Sequence, residues 1–299
     1  MFVIFFFLFI LGLIVGSFLN VVSLRYSPEK GLFNFHNLSG RSRCLHCGKT
    51  LRWHELIPVF SFLIQKGQCR SCGAKLNWQY PLVELASGFV FLLPFYLFGH
   101  FTFHFSLFTS VVWISVFLIF LLIWTIDYRL YLIPDGLNIG LGIIGIFWIL
   151  FSGVYGSDSA FLPPGLSRFG EFQGSFFGSY AGLFGLRQNI WINHFAAALI
   201  GISIVGLVIL LTKGKGMGMG DLKLLAALGL LYGWPDVLFI FIIGTTVGAS
   251  ASVALMLGSA RRWGMKSQIP FGPFLTLAAV LAFFFGEQIL RGYFNFFGI

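Results

Sequence analysis

All four cysteines of the 299-residue chain fall in two Cys-x-x-Cys pairs. The pairs are Cys44 with Cys47, and Cys69 with Cys72. A glycine follows each pair, which permits the tight turn that aims two thiolates at one ion. Four thiolates at this spacing predict a closed, structural, tetrahedral zinc site, with disulfides or free thiols as the alternatives. His46 could replace one ligand, but it is expected to be a solvated neighbour. A closed shell leaves no position for water, so this metal is not expected to catalyse.

Carboxylates form the second chemical signal, because the whole chain has only ten Asp and Glu. Asp127, Asp135 and Asp221 stand at the ends of apolar segments. An ionisable group near hydrocarbon is costly and is therefore a functional candidate. Two carboxylates brought together share a proton, so that one activates water while the other donates a hydrogen bond to a scissile carbonyl. Alternate glycines at 214–220 leave a backbone that is open to an extended peptide beside Asp221.

Each aspartate also has a purely structural interpretation. Asp135, before Gly136, is typical of a turn and helix N-cap. Asp221 could be an N-cap favoured by the helix dipole. Asp127 could pair with Arg129 or lie among lipid headgroups. The argument for chemistry is the combination, since Asp127 and Asp221 are predicted on separate segments at one membrane depth.

The elements that must position these residues are membrane helices. The chain is 58% hydrophobic and 10% charged, and its mean hydropathy is +0.90, which excludes a soluble globular domain and a disordered chain. Strands cannot satisfy their backbone singly in lipid, so the apolar runs are predicted as helices. An all-α membrane protein with about eight transmembrane helices follows, with 222–233 as the weakest span. The segments are 3–24, 83–98, 105–126, 137–151, 195–211, 222–233, 237–257 and 270–290. The first lacks the features of a cleaved signal peptide and is expected to stay as an anchor.

The basic residues predict the orientation of the chain. With eight spans and the N-terminus outside, 16 of the 19 Lys and Arg lie inside, and only Arg168, Arg187 and Arg291 lie outside, as the positive-inside rule requires. The positive charge is therefore membrane topology and not a nucleic-acid footprint. The cysteines then lie in the reducing cytoplasm, which disfavours disulfides.

Three domains are predicted: the first helix at 1–24, a cytoplasmic zinc-knuckle domain at 25–82 and a membrane domain at 83–299. The last contains an outer insertion at 152–193 without obvious chemistry. A variable loop is the expected interpretation, and a position at the bilayer interface, suggested by its aromatic residues, is the alternative. These aromatic residues are Phe176, Phe177, Tyr180, Phe184 and Trp191.

Seven motifs in order along the chain resemble those of bacterial prepilin peptidases, the type IV leader peptidases of the GxGD aspartic protease class. They lie at 16–22 with Arg25, 41–48, 53–59, 67–73, 80–84, 126–135 and 216–224. The resemblance implies that Asp127 and Asp221 are the catalytic pair. Supporting roles fall on Gly218, Gly220, Asp135 and Lys223.

The resemblance also implies substrates and cofactors. Such enzymes remove a short basic leader, after a Gly, from type IV prepilin-like or pseudopilin precursors at the cytoplasmic face of the inner membrane. Most then methylate the new N-terminus with S-adenosylmethionine, an activity that the family associates with the zinc segment. The partners are these precursors and the lipid bilayer, without nucleic acid. The residues associated with methyl transfer are Asn20, Arg25, Glu55, Gly67 and Glu84, although Glu84 could equally reach the headgroups.

Two features depart from the family pattern. Gln68 stands where Lys is typical, and 94 residues separate Asp127 from Asp221, an excess that the outer insertion explains. The alternatives are a peptidase without methyltransferase activity, a transporter or channel with a zinc regulatory knuckle, and a scaffold of a pilus or secretion assembly.

Overall fold

Helices make up most of the computed structural model, which describes residues 2–29, 31–32, 40–98, 103–155, 189–258 and 269–297. Within these ranges the only β-structure is three isolated bridges. A short 3-10 helix lies at Trp53–Glu55. The α-helices are α1 (Phe2–Arg25), α2 (Phe60–Ile64), α3 (Gln79–Phe98), α4 (Phe103–Leu130), α5 (Asp135–Tyr155), α6 (Ile190–Thr212), α7 (Met219–Tyr232), α8 (Asp236–Gly258) and α9 (Gly272–Phe297).

All eight predicted apolar segments are helical, which confirms the all-α membrane class, but the count of eight spans is not confirmed. Among the described residues, four helices are long and apolar enough to cross a membrane. These are Val3–Arg25, Phe108–Leu130, Ile190–Thr212 and Asp236–Leu257. Three shorter apolar helices lie at Gln79–Leu93, Asp135–Phe151 and Gly272–Gly286. α7 has only 14 residues.

The chain divides into two compact units, Met1–Ile126 and Asp127–Ile299. In the first unit, α1 and α3 pack at a distance that only glycine allows. A Cβ at Gly12 would lie 2.6 Å from the carbonyl oxygen of Ser87, and one at Gly16 would lie 2.8 Å from the Cα of Glu84. The polar groups of α1 and α3 are therefore enclosed between two closely apposed backbones.

In the second unit the shortest helix is the most enclosed. α7 contacts α5, α6, α8 and α9, and four of its leucines are inaccessible to solvent: Leu224, Leu225, Leu228 and Leu231. A Cβ at Gly229 would lie 2.6 Å from the backbone nitrogen of Ala198 in α6, and one at Gly145 in α5 would lie 3.0 Å from the Leu230 side chain. A helix that is apolar all round is stable in such a setting, because every face packs on a neighbour.

The predicted outer insertion is described only at its two ends. α5 runs through Tyr155, α6 begins at Ile190, and Asn189 caps α6 by accepting from the backbone nitrogen of Trp191 at 3.0 Å. The ring of Trp191 stacks on Phe195 with 6.3 Å between centroids. The other four aromatic residues of the prediction, with Arg168 and Arg187, lie outside the described residues.

Candidate active site and metal centre

Asp127 lies in the last turn of α4, where only 4% of its surface is exposed. Its backbone carbonyl accepts the Tyr131 N–H at 2.8 Å, and the positive φ of Tyr131, 54°, ends the helix. The C-terminal end of a helix carries negative partial charge, which disfavours a buried carboxylate. The Asp127 side chain therefore needs a hydrogen-bond donor from another element.

Gly272, the first residue of α9, supplies that donor. Its backbone N–H donates to Oδ2 of Asp127 at 2.9 Å. A Cβ at this position would lie 2.7 Å from the same oxygen and 3.0 Å from Cδ1 of Ile133, so only glycine fits. Sequence reasoning missed this residue, although a signal is present, since Pro273 follows it and a proline favours the first turn of a helix.

Asp221 is held by the start of its own helix. Gly218 is the N-cap of α7, and its backbone N–H donates to Oδ2 of Asp221 at 3.1 Å. The carboxylate also lies beside the positive end of the helix dipole, which favours negative charge. Asp221 thus caps its helix from the first turn, a structural role that is compatible with chemistry at its other oxygen.

Ile133 connects the surroundings of the two aspartates. It contacts Gly272 beside Asp127, and its Cβ would lie 3.3 Å from a Cβ added at Gly220, the residue before Asp221. Two residues that are 94 positions apart in the chain are therefore brought to one place.

The segment that begins α5 holds the start of α7 through two polar contacts. The Asn138 side-chain amide donates to the carbonyl of Gly220 at 3.4 Å. Lys223 forms an ion pair with Asp135, with 2.7 Å between Nζ and Oδ1. α5 begins at Asp135 itself, so this residue lies in the first turn, and its carboxylate bonds to another helix. Asn138 was not predicted, and its position three residues after Asp135 was the available signal.

The two cysteine pairs form matching turns. The backbone N–H of Cys44 donates to the carbonyl of Lys49, and the carbonyl of Cys44 accepts the N–H of Gly48, both at 2.9 Å. In the same way, Cys69 donates to Ala74 at 2.8 Å and accepts from Gly73 at 2.9 Å. The glycines have φ values of 70° and 68°, which confirms that each turn uses a left-handed conformation. Nζ of Lys49 donates to Oγ of Ser71 at 2.5 Å and ties one turn to the other.

The four thiols converge on a site suited to one metal ion. Their sulfur atoms lie within 4.8 Å of one another, and Sγ of Cys44 lies 3.9 Å from Sγ of Cys72. Ligands about 2.3 Å from a tetrahedral zinc would be about 3.8 Å apart, so the spacing fits. Backbone N–H groups of Cys72 and Ser71 lower the pKa of Cys69 to about 6, whereas the pKa of the neighbouring Cys72 is raised to about 11, so Cys69 is the thiol that ionises first. His46 is not in this cluster, and none of the cysteines is in a disulfide.

Two family models match the chain. The Bacterial Peptidase A24 N-terminal domain matches residues 10–98, and the Type IV leader peptidase family matches residues 172–253. A prepilin leader peptidase/N-methyltransferase of Pseudomonas aeruginosa is 31% identical over 97% of this chain and 93% of its own length. The chain belongs to the type IV leader peptidase family.

Relatives from distant bacteria carry the same name. That of Bacillus subtilis is 30% identical over 96% of both chains, and that of Xanthomonas campestris is 31% identical over 97% of this chain and 94% of its own. No solved structure matches the chain. Membership of a peptidase family replaces the transporter and scaffold hypotheses.

Two of the residues that the family associates with methyl transfer lie in the α1 and α3 pair. Asn20 is 2% exposed, and its side-chain amide donates to the carbonyl of Tyr80 at 3.1 Å. Glu84 is 7% exposed, and its Oε2 accepts the backbone N–H of Val59 at 2.7 Å. Glu84 is therefore enclosed by the protein and does not reach outward to headgroups.

The other three residues of this group make local contacts. Glu55 accepts the backbone N–H of Arg52 at 2.8 Å, which lowers the pKa of its carboxyl. Gly67 has a φ of 67° beneath the ring of Phe62. Arg25 donates to two carbonyls in the segment that follows α1, at 3.4 and 3.5 Å. A role for these residues in methyl transfer stays a prediction.

Proposed function

We propose that this chain is a membrane aspartic endopeptidase that removes the leader from prepilin-like precursors and then methylates the new N-terminus. The observation that carries the peptidase part is the convergence of Asp127 and Asp221 around Ile133, in a family of leader peptidases. The names of the relatives combine both activities.

The two carboxyls divide the work of hydrolysis. Each already accepts one backbone N–H at Oδ2, and Oδ1 of each accepts none from the described part of the chain. The Oδ1 atoms are therefore the oxygens that hold the proton shared by the pair and that accept a hydrogen bond from the attacking water. The ionised carboxyl takes a proton from water as it attacks the peptide carbonyl, and the protonated carboxyl donates to the carbonyl oxygen. The proton taken from water then passes to the departing amine, and the tetrahedral diol returns the other proton to the pair as it collapses to the product carboxyl group.

The proposed substrate and orientation rest on charge. Positively charged loops remain in the cytoplasm, and 16 of the 19 basic residues fall in the segments predicted to be inside. The first turn of α7 and the end of α4 then lie at the inner face of the cytoplasmic membrane. A precursor with a basic leader and an apolar following segment would present its junction at this depth.

The metal of the cysteine cluster is proposed to be zinc. When bound, a zinc ion supplies four bonds that hold the two turns together. All four positions are filled by Cys44, Cys47, Cys69 and Cys72, so the site has a structural role. Its contribution is to fold a segment that has little apolar core of its own.

S-adenosylmethionine is the proposed methyl donor. When bound, it supplies an electrophilic methyl group to the free amine that cleavage creates. One observation on this chain fits such a ligand: Oδ1 of Asn20 is buried and has no hydrogen-bond partner among the described residues. It could accept from an ammonium or hydroxyl group of the donor.

Cleavage of a purified prepilin-like precursor by wild-type protein, Asp127→Asn and Asp221→Asn tests the peptidase proposal. Asparagine keeps the size of the side chain but removes the acid, so we expect the rate to fall by about 10²–10⁴-fold. Asp236→Asn is the matched control, because Asp236 is also a buried aspartate but lies beyond the far end of α7. This variant should cleave the precursor at the wild-type rate. A wild-type rate in either dyad variant, with correct folding, would remove that aspartate from the site.

Methyl transfer is measured in the same preparation. Labelled S-adenosylmethionine should place label on the N-terminus of the cleaved product and not on the intact precursor. Normal cleavage without incorporation would leave a peptidase alone, which is the second candidate function.

A further inference from the structure

Helix α2 carries large apolar side chains on its outer face. Phe60, Leu63 and Ile64 stand at positions i, i+3 and i+4, which share one face of a helix. They are 61%, 61% and 65% exposed. Phe62 points the other way, is 7% exposed and packs on Trp78 with 5.1 Å between ring centroids. The inner face therefore holds the segment together, and the outer face needs a separate explanation.

The start of α2 is attached to a membrane helix. The backbone N–H of Val59 donates to Oε2 of Glu84 at 2.7 Å, and Glu84 lies in the second turn of α3. Val59 has a φ of 61°, a conformation that β-branched residues rarely adopt. The chain accepts this conformation where it meets α3, so α2 begins alongside the end of an apolar helix and not out in the cytoplasm.

The neighbouring surfaces have the character of a lipid-facing surface. α1 exposes Phe18, and α3 exposes Leu82 and Phe89, at 55%, 60% and 61% respectively. Trp78 lies just before α3 and is 67% exposed. Tryptophan prefers the boundary between hydrocarbon and water. The outer face of α2 thus has the same apolar character as the exposed faces of α1 and α3, and its start is attached to α3 at Glu84.

The charge of the surrounding segment distinguishes between two candidate occupants of this face, anionic lipid and the basic leader of a precursor. Segment 25–82 contains nine Lys and Arg but only two Glu. Such an excess attracts anionic lipid headgroups. It disfavours the basic leader of a precursor, the occupant that the proposed function would otherwise suggest.

We propose that α2 lies in the plane of the membrane at its cytoplasmic surface, with Phe60, Leu63 and Ile64 inserted among anionic lipids. Amphipathic segments flanked by basic residues bind bilayers in this way. The inference goes beyond the proposed function, because it gives the cysteine-bearing segment a third attachment to the membrane, in addition to α1 and α3. It depends on the cytoplasmic orientation and not on either chemical activity.

Photo-crosslinking from α2 tests the proposal in the full, metal-loaded chain. The photoreactive residue p-benzoylphenylalanine replaces Phe60 in protein held in nanodiscs of phosphatidylglycerol and phosphatidylethanolamine, without precursor. We expect an adduct heavier by one phospholipid. The same replacement at Phe62 is the matched control, and it should give crosslinks within the protein and no lipid adduct.

Other results at position 60 would overturn the proposal. Crosslinks to the chain's own residues or to a second copy would mean that protein covers the face, and the absence of any adduct would mean that water does. A shift of the crosslink to added precursor would make the face a substrate site. Nanodiscs of phosphatidylcholine should give less lipid adduct, and an equal yield would overturn the role of charge. Because lipid adducts are read without any assay of cleavage, failure of the proposed function would not alter these outcomes.

Discussion

At the scale of single residues, Gly272 determines how Asp127 can be held. Its backbone N–H and its missing side chain act together, since the donor reaches Oδ2 at 2.9 Å only where no Cβ intervenes. The carboxylate is 4% exposed, so loss of this donor would leave a buried acceptor without a partner, a cost of about 1–3 kcal/mol.

Gly272→Ala should therefore abolish most precursor cleavage. The new methyl group would overlap Oδ2 of Asp127, and the carboxyl would have to leave its position. Gly292→Ala in the same helix is the control, because nothing lies within 4 Å of a Cβ there, and it should cut at the wild-type rate. Both rates are measured on purified protein with thermal unfolding as a check on folding. Equal rates in the two variants would show that the Gly272 contact is unimportant.

The sequence singles out the two aspartates as candidates, but it does not show what surrounds them. Ionisable residues are rare in this chain, and Asp127 and Asp221 become candidates through their combination at one predicted membrane depth. The Gly272 contact joins positions 145 residues apart, and no local pattern reports which backbone N–H reaches a given carboxylate. Ile133 was visible within a motif, yet its role depends on packing between three helices, which spacing alone does not reveal.

At the scale of elements, the ion pair between Lys223 and Asp135 joins the first turns of α7 and α5. The side chains are 44% and 63% exposed, so solvent screening limits the contribution of the pair to stability to about 0–1 kcal/mol. The pair instead helps to position Asp221 relative to Ile133, because Lys223 lies two residues after Asp221 and Asp135 lies two residues after Ile133.

Reversal of this pair provides a test. Lys223→Asp or Asp135→Lys alone places two like charges together and should lower kcat while the midpoint of thermal unfolding changes little. The double variant restores opposite charges and should recover most of kcat. A double variant as slow as the single variants would show that the individual groups matter and not their pairing.

The cysteine turns allow a second test at this scale, because glycines with and without positive φ can be compared. A Cβ at Gly48 and one at Gly136 would both meet nothing within 4 Å, but only Gly48 has a positive φ. Gly48→Ala should strain the turn by about 1–2 kcal/mol and release metal at a lower chelator concentration than wild type. Gly136→Ala should retain metal normally. If both variants retain metal equally, the left-handed turn does not control the site.

Helix positions followed from hydropathy, whereas helix ends did not. The apolar run at 83–98 predicted the second span, but α3 begins at Gln79, because polar residues extend a helix without adding an apolar signal. α9 likewise continues to Phe297, seven residues past its predicted end. α2 was missed, since a helix of five residues, four of them apolar, is too short to show a period.

At the scale of the whole molecule, the number of membrane crossings depends on whether the shorter helices span the bilayer. α7 has 14 residues and is about 21 Å long, less than the roughly 30 Å of hydrocarbon. If such a short helix were exposed to lipid, its length would not match the thickness of the hydrocarbon layer. α7 contacts α5, α6, α8 and α9, so protein surrounds it and its length need not match that of the lipid. We therefore expect α7, and with it α3, α5 and α9, to cross.

Reporter fusions distinguish eight crossings from the four that length and composition alone support. With eight crossings, a fusion after Ile133 lies in the cytoplasm, where green fluorescent protein fluoresces, and a fusion after Gly233 lies outside, where alkaline phosphatase is active. Crossings by α1, α4, α6 and α8 alone would reverse both results. A fusion after Lys213 is cytoplasmic in either case and controls for expression. The Ile133 result matters most, because it determines whether Asp127 and Asp221 lie on the side of the membrane where a basic leader is found.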